Sequence, residues 1–286
     1  MMLECVPNVS EGRDEVLIEE LAETLKGADL RNIHSDPDHN RTVFTVFGEP
    51  EPLERAMFSL AERAMQLLDV KSHEGVHPFI GVVDVIPFIP FKGAEMSDAV
   101  KSAGSLGKRL WEELSLPVYY YGEAAAIKDR KDLPYVRKGG YAALSREIER
   151  EERRPDEGSK LHKTAGAVAV GARKFLIAFN VDLATNDLDI ASSIAQNIRE
   201  SHGGIPGVRA LGLELKSRGI TQVSINVVDH KRTYLKQVYE EVQKWVREYN
   251  VAVIDTELVG MLPREAYYPN MESDLKIRNF SPSLVI

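Results

Sequence analysis

The chain carries the same order of predicted elements twice. Short runs in which apolar and polar residues alternate predict strands, and apolar residues spaced three and four apart predict helices. In the first part of the chain this pattern predicts a strand, a helix, two strands, a helix and a strand, at residues 3–7, 14–26, 30–35, 42–48, 52–68 and 81–89. The last third repeats the order at residues 174–180, 187–201, 209–216, 222–228, 234–249 and 251–258. The sequence therefore predicts a duplicated architecture.

The repeated order, β-α-β-β-α-β, is that of the ferredoxin-like unit. We therefore predict an α/β (α+β) fold with two lobes, each a ferredoxin-like sandwich, covering residues 1–172 and 173–286. Two such lobes would leave a ligand cleft or tunnel between them, which is a preferred place for a small-molecule site.

Further elements are predicted within the first lobe. A helix, a strand and a charged Arg/Lys-rich segment are expected at residues 97–114, 117–121 and 128–154. The apolar side of the first helix is predicted to contain Val16, Leu17, Leu21 and Leu25.

Composition narrows the class of protein. The 286 residues include 36 basic and 44 acidic side chains, for a net charge of -8, which gives no global footprint for nucleic acid. The single cysteine, Cys5, excludes an intrachain disulfide and a site of several cysteines, and its apolar strand favours a buried packing role. Without an apolar run of membrane-spanning length or a signal-peptide core, the chain is expected to be soluble and cytoplasmic, with no membrane partner.

A histidine-rich motif precedes the last strand of the first lobe. His73-Glu74-Gly75-Val76-His77 matches the HExxH pattern of zinc peptidases, in which a helix places both histidines on one metal. Gly75 is a poor helix former, and Pro78 biases His77 towards an extended conformation. We therefore predict a loop without metal that delivers His77 to the strand as a proton carrier with an unperturbed pKa of about 6.5. A surface or capping histidine is the alternative.

Two other polar positions are candidates for the same site. The Asn40-Arg41 pair follows a predicted turn, where Arg41 either binds a substrate carboxylate or is a solvated hairpin residue. Asp84 lies inside the apolar run GVVDVIPF and therefore needs a partner, either His77 or a loop backbone group. Asp36 is a second candidate to orient His77 if its turn folds inward.

The segment at residues 155–171 is predicted to join the two lobes. Four cations lie in or just after it, and we call them the linker cations: Lys160, Lys163, Arg173 and Lys174. They indicate either a local anion site or an ordinary solvated linker.

Several blocks of sequence carry a resemblance to a known family. They are ECVPNVSEGR at residues 4–13 and the stretches at 40–43, 73–78, 84–90, 117–125 and 171–180. In this order they resemble the formiminotransferase domain of formiminotransferase-cyclodeaminase, over residues 3–263. The helical cyclodeaminase domain has no counterpart in the sequence. The resemblance implies transfer of a formimino group between glutamate and tetrahydrofolate by a homodimer, with tetrahydrofolate as co-substrate and no metal.

The resemblance also assigns site residues. His77 matches the family's catalytic histidine. The family's folate-binding stretch falls on Gly158, Ser159, Lys160, Leu161, His162, Lys163, Thr164, Ala165 and Gly166. The candidate contacts to the substrate are Asn8, Asn40, Arg41, Asp84, Arg173 and Lys174.

One departure from the family keeps other functions open. Thr164-Ala165 stands where the best-known vertebrate member has Ser-Trp, and the stretch is about one residue shorter. An aromatic face for folate is therefore absent from this stretch. Transfer of a formyl group between 5-formyltetrahydrofolate and glutamate is an alternative, and so is a non-catalytic module that binds folate or a small anion.

Overall fold

The computed structural model describes residues 1–278 and 280–286. The chain divides into two compact units, Met1–Lys174 and Phe175–Ile286. Among the described residues, each unit contains one β-sheet, of seven strands in the first and four in the second. None of the described helices is long and apolar enough to cross a membrane.

The first unit contains seven strands and five α-helices. The strands are β1 (Met2–Cys5), β2 (Asn8–Val9), β3 (Asp29–Asp36), β4 (Arg41–Gly48), β5 (Val83–Phe91), β6 (Val118–Gly122) and β7 (Val168–Ala172). The helices are α1 (Glu15–Glu23), α2 (Pro50–Leu67), α3 (Met96–Leu114), α4 (Leu133–Val136) and α5 (Gly140–Glu147).

The ferredoxin-like prediction is confirmed in the first unit. Strands β1 and β2 act as one first strand that is interrupted at Val6-Pro7, where proline has no N–H to give to a neighbour. Both parts lie between β4 and β5, and β3 pairs with the outer edge of β4, all antiparallel. This is the strand order of the ferredoxin-like unit.

The sheet continues beyond β5 in a way that the sequence analysis missed. Strand β7 pairs in parallel with β5 on one side and with β6 on the other. Its residues 168–171 belong to the segment that was predicted to be a linker, so that prediction is wrong for these four residues. The run is entirely buried, as is usual for parallel strands, and its small apolar residues do not alternate with polar ones.

The core of the first unit lies between the sheet and helices α1, α2 and α3. Leu3, Cys5, Phe44 and Phe88 project from the strands into this core. Helix α1 begins after Asp14, whose side chain accepts hydrogen bonds from the first-turn N–H groups of residues 16 and 17. The predicted apolar side was wrong at Val16, which is 72% exposed, because Ile18 and Leu21 are the helical residues that turn inward.

The second unit repeats the fold without the extension. Its strands are β8 (Ile177–Leu183), β9 (Val208–Leu215), β10 (Ile220–Val227) and β11 (Val253–Val259). Its helices are α6 (Leu188–Ile198), α7 (Leu235–Glu248) and α8 (Met271–Asp274). The antiparallel order β11-β8-β10-β9 is again ferredoxin-like, with α6 and α7 contributing to the core.

The face of the second sheet opposite this core carries a charged network. Arg278 donates to Asp182 and Glu257 at 2.5 Å and to Asp255 at 2.6 Å. Gln222 donates to Asp182 at 2.7 Å. Because these carboxylates accept hydrogen bonds from neighbouring side chains, we interpret the network as structural.

Candidate active site

The histidine motif lies on a loop and not on a helix. Residues 71–80 contain no helix. A Cβ on Gly75 would lie 2.3 Å from the carbonyl oxygen of His39, so only glycine fits against this turn. The N–H of Val76 donates to the carbonyl of Asp38 at 3.2 Å. The loop therefore packs on the turn before β4, and the helical geometry of a zinc peptidase is absent from it.

His77 contacts Arg41 directly. The Nη1 atom of Arg41 lies 2.7 Å from Nε2 of His77, and Nδ1 of His77 lies 2.8 Å from the carbonyl oxygen of Pro78. A guanidinium only donates hydrogen bonds and a carbonyl oxygen only accepts them. These partners assign His77 as the neutral tautomer with its proton on Nδ1 and its lone pair on Nε2.

The surroundings of His77 favour its neutral form. Desolvation of the ring, followed by the positive charges of Arg41 and Arg137 and by His39, holds the pKa of His77 well below its usual value of 6.5. The expectation of an unperturbed pKa is therefore corrected downwards. At neutral pH the imidazole is a base in the correct protonation state to accept a proton.

Two asparagines hold the strand ends around this pair. Asn40 has a φ of 47°, and its Oδ1 accepts from the N–H of Gly12 at 2.9 Å while its Nδ2 donates to the carbonyl of Glu74 at 3.0 Å. Asn8 accepts from Nη1 of Arg41 at 3.3 Å. The structure thus brings Asn8, Asn40, Arg41 and His77 together, as the sequence analysis grouped them. Asp36 accepts from the N–H of His39 at 2.7 Å and so holds the turn.

Asp84 anchors the loop and a second arginine. Its Oδ1 accepts from the N–H of Ile80 at 2.9 Å, and its Oδ2 accepts from Arg137. The loop-backbone alternative for Asp84 is therefore the one observed. Its side chain is 2% exposed and that of Arg137 is 13% exposed, so the pair is buried.

Arg137 is a candidate site residue that sequence reasoning missed. Its charge acts on both His77 and Tyr121, and its buried Nε has no hydrogen-bond partner among the described residues. It was one of many cations in the Arg/Lys-rich segment. Its only distinguishing feature is the partnership with Asp84, which lies 53 positions earlier.

The predicted folate stretch ends against the strand that follows His77. The carbonyl of Thr164 accepts from Val70 at 2.7 Å, and that of Ala165 accepts from Val82 at 2.9 Å. Nδ1 of His162 accepts from the N–H of Ala165 at 3.1 Å, so this histidine holds a turn. The exposed residues of the stretch are Ser159, Lys160 and Lys163.

The remaining linker cations follow β7. The N–H of Arg173 donates to the carbonyl of Phe88 at 3.1 Å, and Nη1 of Arg173 donates to the carbonyl of Lys174 at 3.0 Å. The charge of Arg173 also acts on Tyr121 and on Glu4. Lys174 is exposed.

Glu4 is a buried acid that sequence reasoning did not single out. It is 2% exposed, and its Oε2 has no hydrogen-bond partner among the described residues. Burial raises the pKa of Glu4 from its usual value of 4.5 to about 7, although the charge of Arg173 opposes the shift.

The structure shows where Cys5 lies. Cys5 is buried in the core, and burial raises the pKa of its thiol, which suits a packing role.

No group of three or more His, Cys, Asp or Glu side chains in residues 1–278 and 280–286 is arranged to hold a metal ion. The absence of a metal from the reaction stays a prediction.

Known domains and proteins match nearly the whole length of this chain. The Formiminotransferase domain, N-terminal subdomain, matches residues 2–173, and the Formiminotransferase domain matches residues 178–273. A glutamate formimidoyltransferase of Streptococcus pyogenes is 38% identical over 283 residues, which is 98% of this chain and 95% of that protein. One of Thermoplasma acidophilum is 36% identical over 290 residues, covering 100% and 96%.

A longer relative matches over part of its length. The formimidoyltransferase-cyclodeaminase of Rattus norvegicus is 41% identical over 275 residues, covering 93% of this chain and 51% of that protein. Because the two subdomains match in order, and relatives above 30% identity are covered almost end to end, the chain belongs to the formiminotransferase domain family.

Proposed function

We propose that this protein is a glutamate formimidoyltransferase, an enzyme that moves a formimino group between N-formimino-L-glutamate and tetrahydrofolate. Full-length similarity to proteins of that name supports the proposal. The observation that carries it is His77, a neutral imidazole whose Nε2 lone pair faces Arg41. A module that only binds anions needs the arginine but has no need for a base held in one tautomer.

The reaction requires one proton to be transferred and involves no change of oxidation state. N5 of tetrahydrofolate attacks the amidine carbon of N-formiminoglutamate, and a new C–N bond forms. Nε2 of His77 accepts the N5 proton. The bond between that carbon and the glutamate nitrogen then breaks, and His77 returns the proton to the leaving amine. General acid-base catalysis of this kind contributes roughly a hundredfold to ten-thousandfold in rate.

The other candidate residues bind and position. Arg41 is proposed to receive a carboxylate of the glutamate moiety, because a guanidinium can hold a carboxylate through two parallel hydrogen bonds. The stretch from Gly158 to Gly166 is proposed to contact folate, with the linker cations receiving its acidic tail. Asp84 acts indirectly, since it holds both the Ile80 end of the loop and Arg137.

The location and assembly of the enzyme are part of the proposal. A cytoplasmic homodimer follows from the family resemblance, and light scattering of the purified protein tests the dimer. A mass near that of a single 32.0 kDa chain would contradict it.

The decisive assay uses the purified protein with tetrahydrofolate and either N-formiminoglutamate or N-formylglutamate. We expect glutamate release with the formimino donor, and His77→Ala protein is the matched control. Release only with the formyl donor would assign formyl transfer instead. No release with either donor, from protein that still binds folate, would favour the non-catalytic module.

A further inference from the structure

Both ends of the loop that carries His77 are held by the same short turn. Before the loop, the N–H of Val70 donates to the carbonyl of Thr164 at 2.7 Å. Beyond the loop, the N–H of Val82 donates to the carbonyl of Ala165 at 2.9 Å. Two neighbouring carbonyl groups of one turn thus close the loop at its base.

The turn is held in shape by His162. Its main-chain N–H and carbonyl bond to those of Gly166 at 2.9 and 3.1 Å, which closes the turn. Gly166 has a φ of 72°, in the left-handed region that favours glycine. Inside the turn, Nδ1 of His162 accepts from the N–H of Ala165 at 3.1 Å and from that of Thr164 at 3.4 Å. The ring therefore bonds the same two residues whose carbonyl groups hold the loop.

Only a neutral ring can hold the turn in this way. A ring nitrogen accepts hydrogen bonds through its lone pair, so the proton of His162 lies on Nε2. Burial holds the pKa of His162 below its usual value of 6.5, which keeps Nδ1 unprotonated at neutral pH. His77 is the opposite tautomer, with its proton on Nδ1. His162 is thus built as a hydrogen-bond acceptor within the turn.

Resting on the proposed function, we propose that His162 is a positioning residue for His77. Its Nδ1 fixes the turn, and the turn fixes the base of the loop that presents the imidazole of His77 to the substrates. The folate-binding stretch of the family then has two tasks. Its main chain at residues 162–166 supports the loop. The side chains left to contact folate are its exposed ones, Ser159, Lys160 and Lys163.

The first test separates turnover from folate binding. His162→Ala removes the acceptor, and His162→Asn restores one, because an asparagine oxygen accepts from N–H groups two and three residues further on. We expect kcat of His162→Ala to fall about tenfold or more, since displacing a catalytic group by about 1 Å can cost about a hundredfold. The folate dissociation constant should stay within about threefold, because the exposed side chains of the stretch are unchanged. His162→Asn should recover most of kcat.

Two other roles of His162 give different results. If its ring only bound folate, His162→Ala would raise the folate dissociation constant and leave kcat at saturating folate unchanged. If its ring transferred a proton, His162→Asn would be as slow as His162→Ala. Either result would overturn the proposal. The control is His202→Ala, at an exposed histidine of the second unit whose Nδ1 accepts from Arg199, and it should keep the kcat and folate affinity of the wild type.

The second test needs no turnover, so it separates this proposal from the proposed function. Amide hydrogen exchange, followed by NMR, is measured at Val70, Val82 and Val76. The first two N–H groups donate to the turn, and that of Val76, inside the loop, donates to the carbonyl of Asp38 at 3.2 Å. All three should exchange about tenfold faster or more in His162→Ala, and at the wild-type rate in His162→Asn.

Phe44 is the internal reference for this measurement. Its N–H donates to the carbonyl of Pro7 within the sheet at 3.1 Å, and its exchange rate should not change. Equal acceleration at Phe44 would mean a general loss of stability. An unchanged rate at Val76 would mean that the turn does not position the loop. Either result would overturn the proposal, whether or not the enzyme turns over either donor.

Discussion

Glu4 should make the stability of the protein depend on pH in an unusual direction. Its carboxyl group is buried, with a pKa raised from 4.5 to about 7. The protonated form is therefore favoured by folding. A group of this kind contributes stability that is fully present below pH 4.5 and is lost as the pH rises through 7. The rise of the pKa from 4.5 to about 7 corresponds to about 3 kcal/mol of free energy.

The substitution Glu4→Gln isolates this contribution, because glutamine has nearly the same shape and no charge at any pH. Integrated between pH 5 and pH 8, the linkage amounts to about 2 to 3 kcal/mol. As the pH rises from 5 to 8, we expect the free energy of unfolding of Glu4→Gln, measured with urea, to increase by about that amount relative to the wild type.

The control for this experiment is Glu51→Gln, whose side chain is 85% exposed in the wild type. The difference in unfolding free energy between this variant and the wild type should change little with pH. If the Glu4→Gln and wild-type curves also stayed parallel from pH 5 to pH 8, within about 0.5 kcal/mol, the buried and protonated state of Glu4 would be refuted.

Five further predictions concern the site. His77→Ala should keep the fold and hold folate affinity within a few fold while turnover falls about a hundredfold or more, and His73→Ala should cost less; near-normal turnover of folded His77→Ala would mean that another group moves the proton. The acid limb of the wild-type rate profile should lie well below pH 6.5, because desolvation and the neighbouring cations keep His77 neutral as the pH falls; a limb at or above 6.5 would contradict this. Asp84→Ala leaves Arg137 buried without its partner and should lower the free energy of unfolding by about 3 to 5 kcal/mol in a urea titration, whereas a loss below about 1 kcal/mol would mean that the arginine escapes to solvent. Neutralising all four linker cations should raise the folate dissociation constant about tenfold or more, and by less at high salt; unchanged folate affinity would mean that these cations do not bind folate. Exhaustive chelation should leave turnover unchanged; a stoichiometric metal needed for activity would contradict a reaction without metal.

The duplicated fold was predictable because its elements are regular. Strands with one covered face and helices with one apolar side leave periods of 2 and 3.6 in the sequence. Strand β7 left no such period, since its small residues are buried on both faces, and its Gly and Ala content reads as a linker. Helix α1 shows a similar limit. Its register became clear only from which residues meet the sheet, and Val16 does not.

The parts of the candidate site that depend on the conformational preferences of nearby residues were predictable. Gly75 and Pro78 argue against a helix from their own conformational preferences, and the loop around His77 bears that out. Arg137 and Glu4 were missed because what sets them apart is distant in sequence. Arg137 is distinguished by its buried ion pair with Asp84. Glu4 is distinguished by its pKa, which deep burial raises and the charge of Arg173 lowers. Such partners become visible only once the chain has folded.

The parallel strand β7 also sets the order in which the first unit can be completed. Strand β6 is synthesised earlier, yet it joins the sheet only through β7. A nascent chain or a truncated fragment that stops before Val168 would leave β5 with a bare edge of unpaired main-chain groups and β6 without its neighbouring strand. Bare strand edges are templates for aggregation. We therefore expect fragments that end within residues 123–167 to aggregate when expressed, even though they contain every strand of the first ferredoxin-like unit.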